Sequence, residues 1–243
     1  MTDLLDVTNA AKSFGGVHAV DDCSLAVQAN TITALIGPNG SGKTTLFNLI
    51  TGYLRPDRGR VHFAGHDVTG MNAGSLYRRG LSRTFQQARV FPHLTAQENL
   101  VVAGGYNWRQ LLTRRVGSAD RKRAGQLLEE FNLAPVADLL AAELSYGQRK
   151  LLEFAAVLMS DPGLVLLDEP TAGVNPVMID TMERHVRQRH SAGITFLIVE
   201  HDMNFVMRLC DPVIVLDQGR PIFSGHPAEV QANPLVLDAY LGG

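Results

Sequence analysis

Apolar positions along the chain fall into two kinds of run. Residues 31–36, 164–167, 195–199 and 213–216 are short, nearly continuous apolar stretches. Their length fits strands buried on both faces. Segments of helical character lie between some of them, and this alternation predicts a largely parallel sheet in an α/β fold. The beginning of the chain differs. Leu5 and Val7 alternate with polar neighbours, and Gly15-Gly16 supplies a turn. Residues 58–69 again predict short strands, around a turn at Gly65-His66. Together these predict an antiparallel β layer beside the parallel sheet.

Residues 88–160 read as mainly helical. Ala124, Leu127, Leu128 and Phe131 form one apolar stripe over 120–131. Leu151, Leu152, Ala155, Leu158 and Met159 form another over 148–159, each at the spacing of an amphipathic helix. The expectation is one domain over 1–243, with a core lobe of 1–87 and 161–243 and a helical lobe of 88–160 inserted into it. Near the end, Pro227 suits the first turn of a short helix, and 235–241 predicts one more.

Composition adds exclusions. Of 243 residues, 45% are hydrophobic and 19% charged, with a formal net charge of −2. That supports a sizeable core and offers no basic excess for nucleic acid. Cys23 and Cys210 are the only cysteines; their separation suits neither a metal site nor a disulfide framework, and two isolated thiols fit a reducing compartment. The N-terminus lacks the basic and apolar regions of a signal peptide. No window approaches the ~18 apolar residues of a membrane span. Any membrane role therefore calls for a separate membrane partner, served from the cytoplasmic side.

Chemistry enters at Gly37-Pro38-Asn39-Gly40-Ser41-Gly42-Lys43-Thr44, which matches the phosphate-loop pattern G-x-x-x-x-G-K-[ST]. A predicted strand precedes it, and Thr45 to Ile50 continues as a predicted helix. Glycines let backbone N–H groups turn toward phosphate oxygens, and the helix start adds partial positive charge. Lys43 would reach the β and γ phosphates. The Thr44 hydroxyl would hold Mg²⁺, and Thr45 would border the α phosphate. This alone implies a nucleoside triphosphate without separating kinase, GTPase and ATPase.

The apolar run 164–167 ends in Asp168-Glu169. A parallel strand would deliver both carboxylates to the sheet edge where α/β folds bind ligands. There Asp168 would hold Mg²⁺, and Glu169 would polarise an attacking water as general base. A second helix start appears at Leu144-Ser145-Tyr146-Gly147-Gln148, where Ser145 can cap and Gly147 permits close approach. On these residues alone Ser145 is an ordinary helix cap.

The phosphate loop, Leu-Ser-Tyr-Gly-Gln, Asp168-Glu169 and His201, in that order, resemble the ATP-binding cassette (ABC) ATPases over essentially the whole chain. The resemblance implies that 144–148 is the family's signature, with Tyr146 where Gly is usual, and that it covers the γ phosphate held by a second cassette. It also implies that Gln86, in Arg83-Thr84-Phe85-Gln86, touches Mg²⁺ and the attacking water. His201 becomes the switch histidine on the γ phosphate, and Phe14 stacks on adenine. Ala172-Gly173-Val174-Asn175 occupies the loop after the base, with Asn175 where Asp is more common.

Arg83-Thr84-Phe85-Gln86, the Tyr146 variant of the signature, residues 172–176, Val199-Glu200-His201-Asp202-Met203 and residues 239–242 resemble cassettes of branched-chain amino acid uptake systems. Urea and short-amide importers, and lipopolysaccharide-type exporters, share much of that pattern. The resemblance implies ATP and Mg²⁺ as cofactors and a second, usually different cassette as partner. It further implies two transmembrane permease subunits, a substrate-binding protein and a peripheral place on the cytoplasmic face. Residues 88–94, with Val90 and Phe91, are expected to receive a helix of the membrane subunit. The basic residues Arg109, Arg114, Arg115, Arg121, Lys122 and Arg123 are expected to form a solvated helix face. A soluble repair or translation ATPase would need a coiled coil or a fused second cassette. A P-loop kinase would leave 144–148 and His201 without a role.

Overall fold

The computed structural model describes residues 3–85, 90–104 and 118–241. Strands β1 (Asp3–Phe14), β2 (Val17–Gln28), β4 (Arg58–Phe63) and β5 (His66–Asp67) form an antiparallel sheet in the order β2-β1-β4-β5. A second sheet runs β10-β9-β3-β8-β7-β6, from β3 (Ile32–Ile36), β6 (Leu81–Arg83), β7 (Leu164–Asp168), β8 (Thr195–Val199), β9 (Val213–Asp217) and β10 (Arg220–Gly225). Its five strands from β9 to β6 are mutually parallel, and only β10 is antiparallel.

Nine α-helices lie among the described residues. Helices α1 (Lys43–Ile50) and α2 (Ala73–Arg78) precede β6. Then come α3 (Ala96–Ala103), α4 (Ser118–Glu130) and α5 (Tyr146–Val157), all between β6 and β7. Helix α6 (Pro176–Ser191) joins β7 to β8, and α7 (Met203–Leu209) joins β8 to β9. The chain closes with α8 (Pro227–Ala232), which has Pro in its first turn, and α9 (Pro234–Leu241).

The apolar runs are strands because each residue has a core to enter. Alternate side chains point to opposite faces. Leu35, Leu164, Leu166, Leu197 and Val199 pack against α1 and the antiparallel sheet. Ala34, Ile36, Val165, Leu167, Phe196 and Ile198 pack against the helices. Burying each such aliphatic side chain contributes ~1.5–3 kcal/mol, so the central strands are held from both sides. Aromatic rings tie the helical segment to the sheet. Phe131 meets Phe154 of α5 edge-on at 5.3 Å, and Phe154 meets Phe196 of β8 edge-on at 6.4 Å.

Several boundaries depart from the pattern. Helix α5 starts two residues earlier than its apolar stripe and ends at Val157. Residues Leu158–Ser160 tighten into a 3₁₀ turn that still buries Leu158 and Met159. Strand β10 has no sequence signal, because its residues are mostly half-buried at a sheet edge rather than alternating. Both cysteines are buried, and burial pushes each thiol up to about 12, which makes them inert packing residues.

Candidate functional site

Strand β3 ends at Ile36, and the chain turns through 37–42 before α1 begins at Lys43. Gly37 (φ 152°), Gly40 (φ 82°) and Gly42 (φ 101°) take up the turn. The loop has no room for side chains at two of them. A Cβ on Gly37 would lie 2.0 Å from the Leu216 carbonyl oxygen, and one on Gly42 would lie 2.2 Å from that of Ala19. Ala19 belongs to β2, so the hairpin that carries Phe14 is packed against the loop. Phe14 itself is 48% exposed near that hairpin's turn, with the Lys12 ammonium over its ring.

Lys43 is buried, and its ammonium donates to the carbonyls of Gly37 and Pro38, both at 2.8 Å, and to Ser41 Oγ at 3.3 Å. Burial pulls its pKa below the ordinary lysine value, opposed by the charges of Glu169 and Asp168. Thr44 is exposed and Thr45 half-buried at the helix start, and Asn39 and Gly40 are open to solvent. A cleft of about 640 Å³ runs along the outer flank of the loop, bounded by Asn39, Gly40, Asp217, Gln218, Leu235 and Asp238.

The strand order explains how distant motifs meet. Neighbouring parallel strands β3, β8, β7 and β6 present their C-terminal ends in one row, the edge where open α/β sheets bind ligands. That row carries, in turn, the phosphate loop, His201, Asp168-Glu169 and Arg83. His201 Nε2 lies 2.9 Å from Glu169 Oε1. Glu169 has a left-handed backbone, φ 47°, and its N–H donates to the Val199 carbonyl at 2.9 Å. A non-glycine residue in that region stores strain that surrounding structure must hold.

Asp168 is buried against Arg83 at 2.6 Å, with both side chains 6% exposed. The same guanidinium donates to Asn48 Oδ1 at 2.6 Å and Thr51 Oγ1 at 3.0 Å, and lies over the rings of Phe47, Tyr53 and Phe85. Arg83 therefore fastens α1 to the end of β7. In the sequence Arg83 stands out only as part of a motif frame, since nothing local separates a buried arginine from a surface one.

Residues 144–148 sit outside this row. Leu144 is buried, and Ser145 caps α5 with a reciprocal box: Gln148 N–H donates to Ser145 Oγ at 3.2 Å, and Ser145 N–H to Gln148 Oε1 at 2.8 Å. Gly147 lies under Met178, whose Cε would be 2.8 Å from a Cβ there. Tyr146 reaches the loop after Glu169, donating from its hydroxyl to the Ala172 carbonyl at 3.2 Å. No hydrogen bond among the described residues ties 144–148 to the phosphate loop of the same chain. Asn175 caps α6 by accepting from Met178 N–H at 2.9 Å. Asn and Asp are equivalent caps, so the missing charge leaves this local role intact.

Gln86 and Gln87 lie outside the described residues, as do Ala88, Arg89, Arg109, Arg114 and Arg115. Phe91 is 55% exposed, and Val90 packs against the core. Of the basic residues in α4, Arg123 is tied to Asp161. No helix among the described residues is long and apolar enough to cross a membrane.

A parallel sheet whose central strand β3 opens into a glycine-lined loop and a helix start is the fold of P-loop nucleoside triphosphatases. A family model described as ABC transporter matches residues 20–172, and one described as branched-chain amino acid ATP-binding cassette transporter matches 220–243. The chain is similar to the high-affinity branched-chain amino acid transport ATP-binding protein BraF of Pseudomonas aeruginosa, at 38% identity over 98% of both chains. It is 37% identical to LivG of Escherichia coli, over 98% of both chains, which bears the same description. Among solved structures, a nucleotide-free ATP-binding cassette from an ABC transporter superposes with TM-score 0.89 at 34% identity. The ADP conformation of MJ1267, a cassette of an ABC transporter, does so at 0.89 and 35%. Both matches cover all of each chain. The chain belongs to the ABC transporter family of ATP-binding cassettes. It is an ATPase of that family.

Proposed function

We propose that this chain powers an importer of branched-chain amino acids by closing, with a second cassette, around ATP. The observation that carries the reading is the row of strand ends, in which the phosphate loop, His201 and Asp168-Glu169 follow one another on adjacent strands β3, β8 and β7. The match of residues 220–243 to the branched-chain amino acid cassettes supports the choice of solute.

In this reading the N–H groups of 37–42, the α1 start and Lys43 hold the triphosphate. Lys43 exchanges its loop carbonyls for phosphate oxygens. Phe14 packs on the base. Thr44 and Asp168 offer a hydroxyl and a carboxylate, the hard oxygen donors that Mg²⁺ takes when phosphates and water complete its shell. Among the described residues no cluster of three or more His, Cys, Asp or Glu side chains forms a larger metal cage. Bound there, Mg²⁺ would neutralise charge building on the β and γ phosphates.

Glu169 is the general base, and His201, 2.9 Å away, orients it and donates to the γ phosphate. Gln86 completes the set from the segment after β6. Ser145, Gly147 and the α5 start face a triphosphate held by the second cassette, since they stand apart from their own loop. Helices α3 to α5 form the lobe that closure moves, and residues around Phe91 pass that motion to two transmembrane permease subunits. The chain then lies peripherally on the cytoplasmic face. A substrate-binding protein feeds the permeases.

The test is reconstitution. Membranes carrying the complete transporter should take up labelled leucine with ATP and lose uptake with Glu169→Gln, which should still bind ATP. Uptake of labelled urea in place of leucine would overturn the solute. Full turnover in Glu169→Gln would overturn the base.

A further inference from the structure

Glu200 stands between the two strand ends that carry Glu169 and His201, and it touches the loops of both. Its carboxylate is 3% exposed, a costly place for a charge unless every oxygen is satisfied. Oε1 accepts from Thr171 N–H at 2.8 Å and from Thr171 Oγ1 at 2.7 Å. Oε2 accepts from His201 N–H at 2.9 Å and from Asp202 N–H at 3.3 Å. One oxygen thus serves the turn two residues past Glu169, and the other serves the residue that bears the imidazole. The same two loops also meet at the Glu169–His201 contact of 2.9 Å. Lys150 of α5, also buried, lies in the field of Glu200, Glu153, Asp168 and Glu169 and supplies positive charge from the third side.

We infer that Glu200 is a positioning residue for hydrolysis: its carboxylate fixes the spacing between the Glu169 turn and the His201 loop. The inference rests on the assignment of Glu169 and His201 above. A general base and its orienting partner must sit within a few tenths of an ångström of their working geometry, and ~1 Å of misplacement costs ~100-fold in rate. Glu169, held in a left-handed backbone, is a residue whose position depends on such a brace. Glutamine cannot replace Glu200. Its amide NH₂ would confront N–H donors on whichever side it faced, so one loop would be released.

The experiment measures ATP turnover and nucleotide binding of the full chain with Glu200→Gln, Thr171→Val and His201→Ala, singly and combined. Glu200→Gln should lower kcat ~10–100-fold while KM and the ADP dissociation constant stay within about threefold. In the His201→Ala background the same change should cost under about threefold, because the histidine it positions is gone. Thr171→Val, which removes one donor and keeps the carboxylate, should lower kcat by ~3–10-fold at an unchanged melting temperature. It keeps the test decisive if Glu200→Gln does not fold. Undiminished kcat in Thr171→Val, or equal losses of Glu200→Gln with and without His201, would overturn the inference. So would parallel losses of kcat, nucleotide affinity and melting temperature, which would mark Glu200 as structural only. Full turnover in Glu169→Gln is a separate result that removes the assignment beneath it.

Discussion

Replacing Arg83 by Met deletes the guanidinium while leaving an apolar stem of similar length among Phe47, Tyr53 and Phe85. What remains is Asp168, 6% exposed and without the cation at 2.6 Å. Removing one partner of a buried ion pair costs ~3–5 kcal/mol, because the other charge stays buried. The bonds to Asn48 and Thr51 go at the same time, so the upper half of that range is expected. For a chain of this size each kcal/mol lowers the melting temperature by ~2–4 °C, giving a fall of ~8–20 °C. Urea unfolding followed by circular dichroism, with calorimetry in the absence of nucleotide, reads both numbers. Adding Asp168→Asn should restore ~0.5–3 kcal/mol relative to the simple sum, since the stranded charge disappears. A loss below about 1 kcal/mol for Arg83→Met, or strict additivity with Asp168→Asn, would refute the claim that this pair fastens α1 to β7.

Three more outcomes follow from the same geometry. Gly42→Ala should abolish nucleotide binding in a fluorescent-ADP titration, because φ 101° and a Cβ 2.2 Å from the Ala19 carbonyl cannot both be accommodated; retained affinity would contradict the loop's shape. His185 stacks on Phe131 at 4.0 Å and is drawn down to about 4, first by burial and then by Arg184 and Arg189. The folded state therefore binds fewer protons than the unfolded one below the ordinary histidine pKa of ~6.5, so stability is intact above that pH and drains away as pH falls toward 4. Between pH 7 and 5 this amounts to about 2 kcal/mol, which His185→Phe should largely abolish in paired urea titrations; equal losses in both proteins would count against it. Glu169→Gln should lower single-turnover hydrolysis by ~100-fold or more while binding ATP normally, and unaltered hydrolysis would reject the base.

The parts of the fold legible in sequence are those where one physical signal dominates. Residues 195–199 are all buried on both faces and stand out as a continuous apolar run. The phosphate loop is legible because glycines at φ 82° and 101° leave a residue-type mark. Strand β10 leaves none, being a half-buried edge. Helix α5 begins at Tyr146 rather than at its first apolar residue because Ser145 and Gln148 close a capping box. The candidate site divides in the same way. Lys43, Asp168, Glu169 and His201 announce themselves by residue type and order. Arg83 and Glu200 do not, since their importance lies in burial and in partners 85 and 29 residues away. Asn175 lacks the charge of the more common Asp, yet a cap needs only the side-chain oxygen.

The central claim is that ATP is shared between two cassettes, each completing the other's site. Sedimentation of the Glu169→Gln chain, alone or mixed with the second cassette, measures this directly. With ATP and Mg²⁺ a dimer should form, and it should be lost on introducing Ser145→Arg into each cassette's signature. A strictly monomeric chain that turns over ATP at full speed, with Ser145 and Gly147 replaced, would contradict the account.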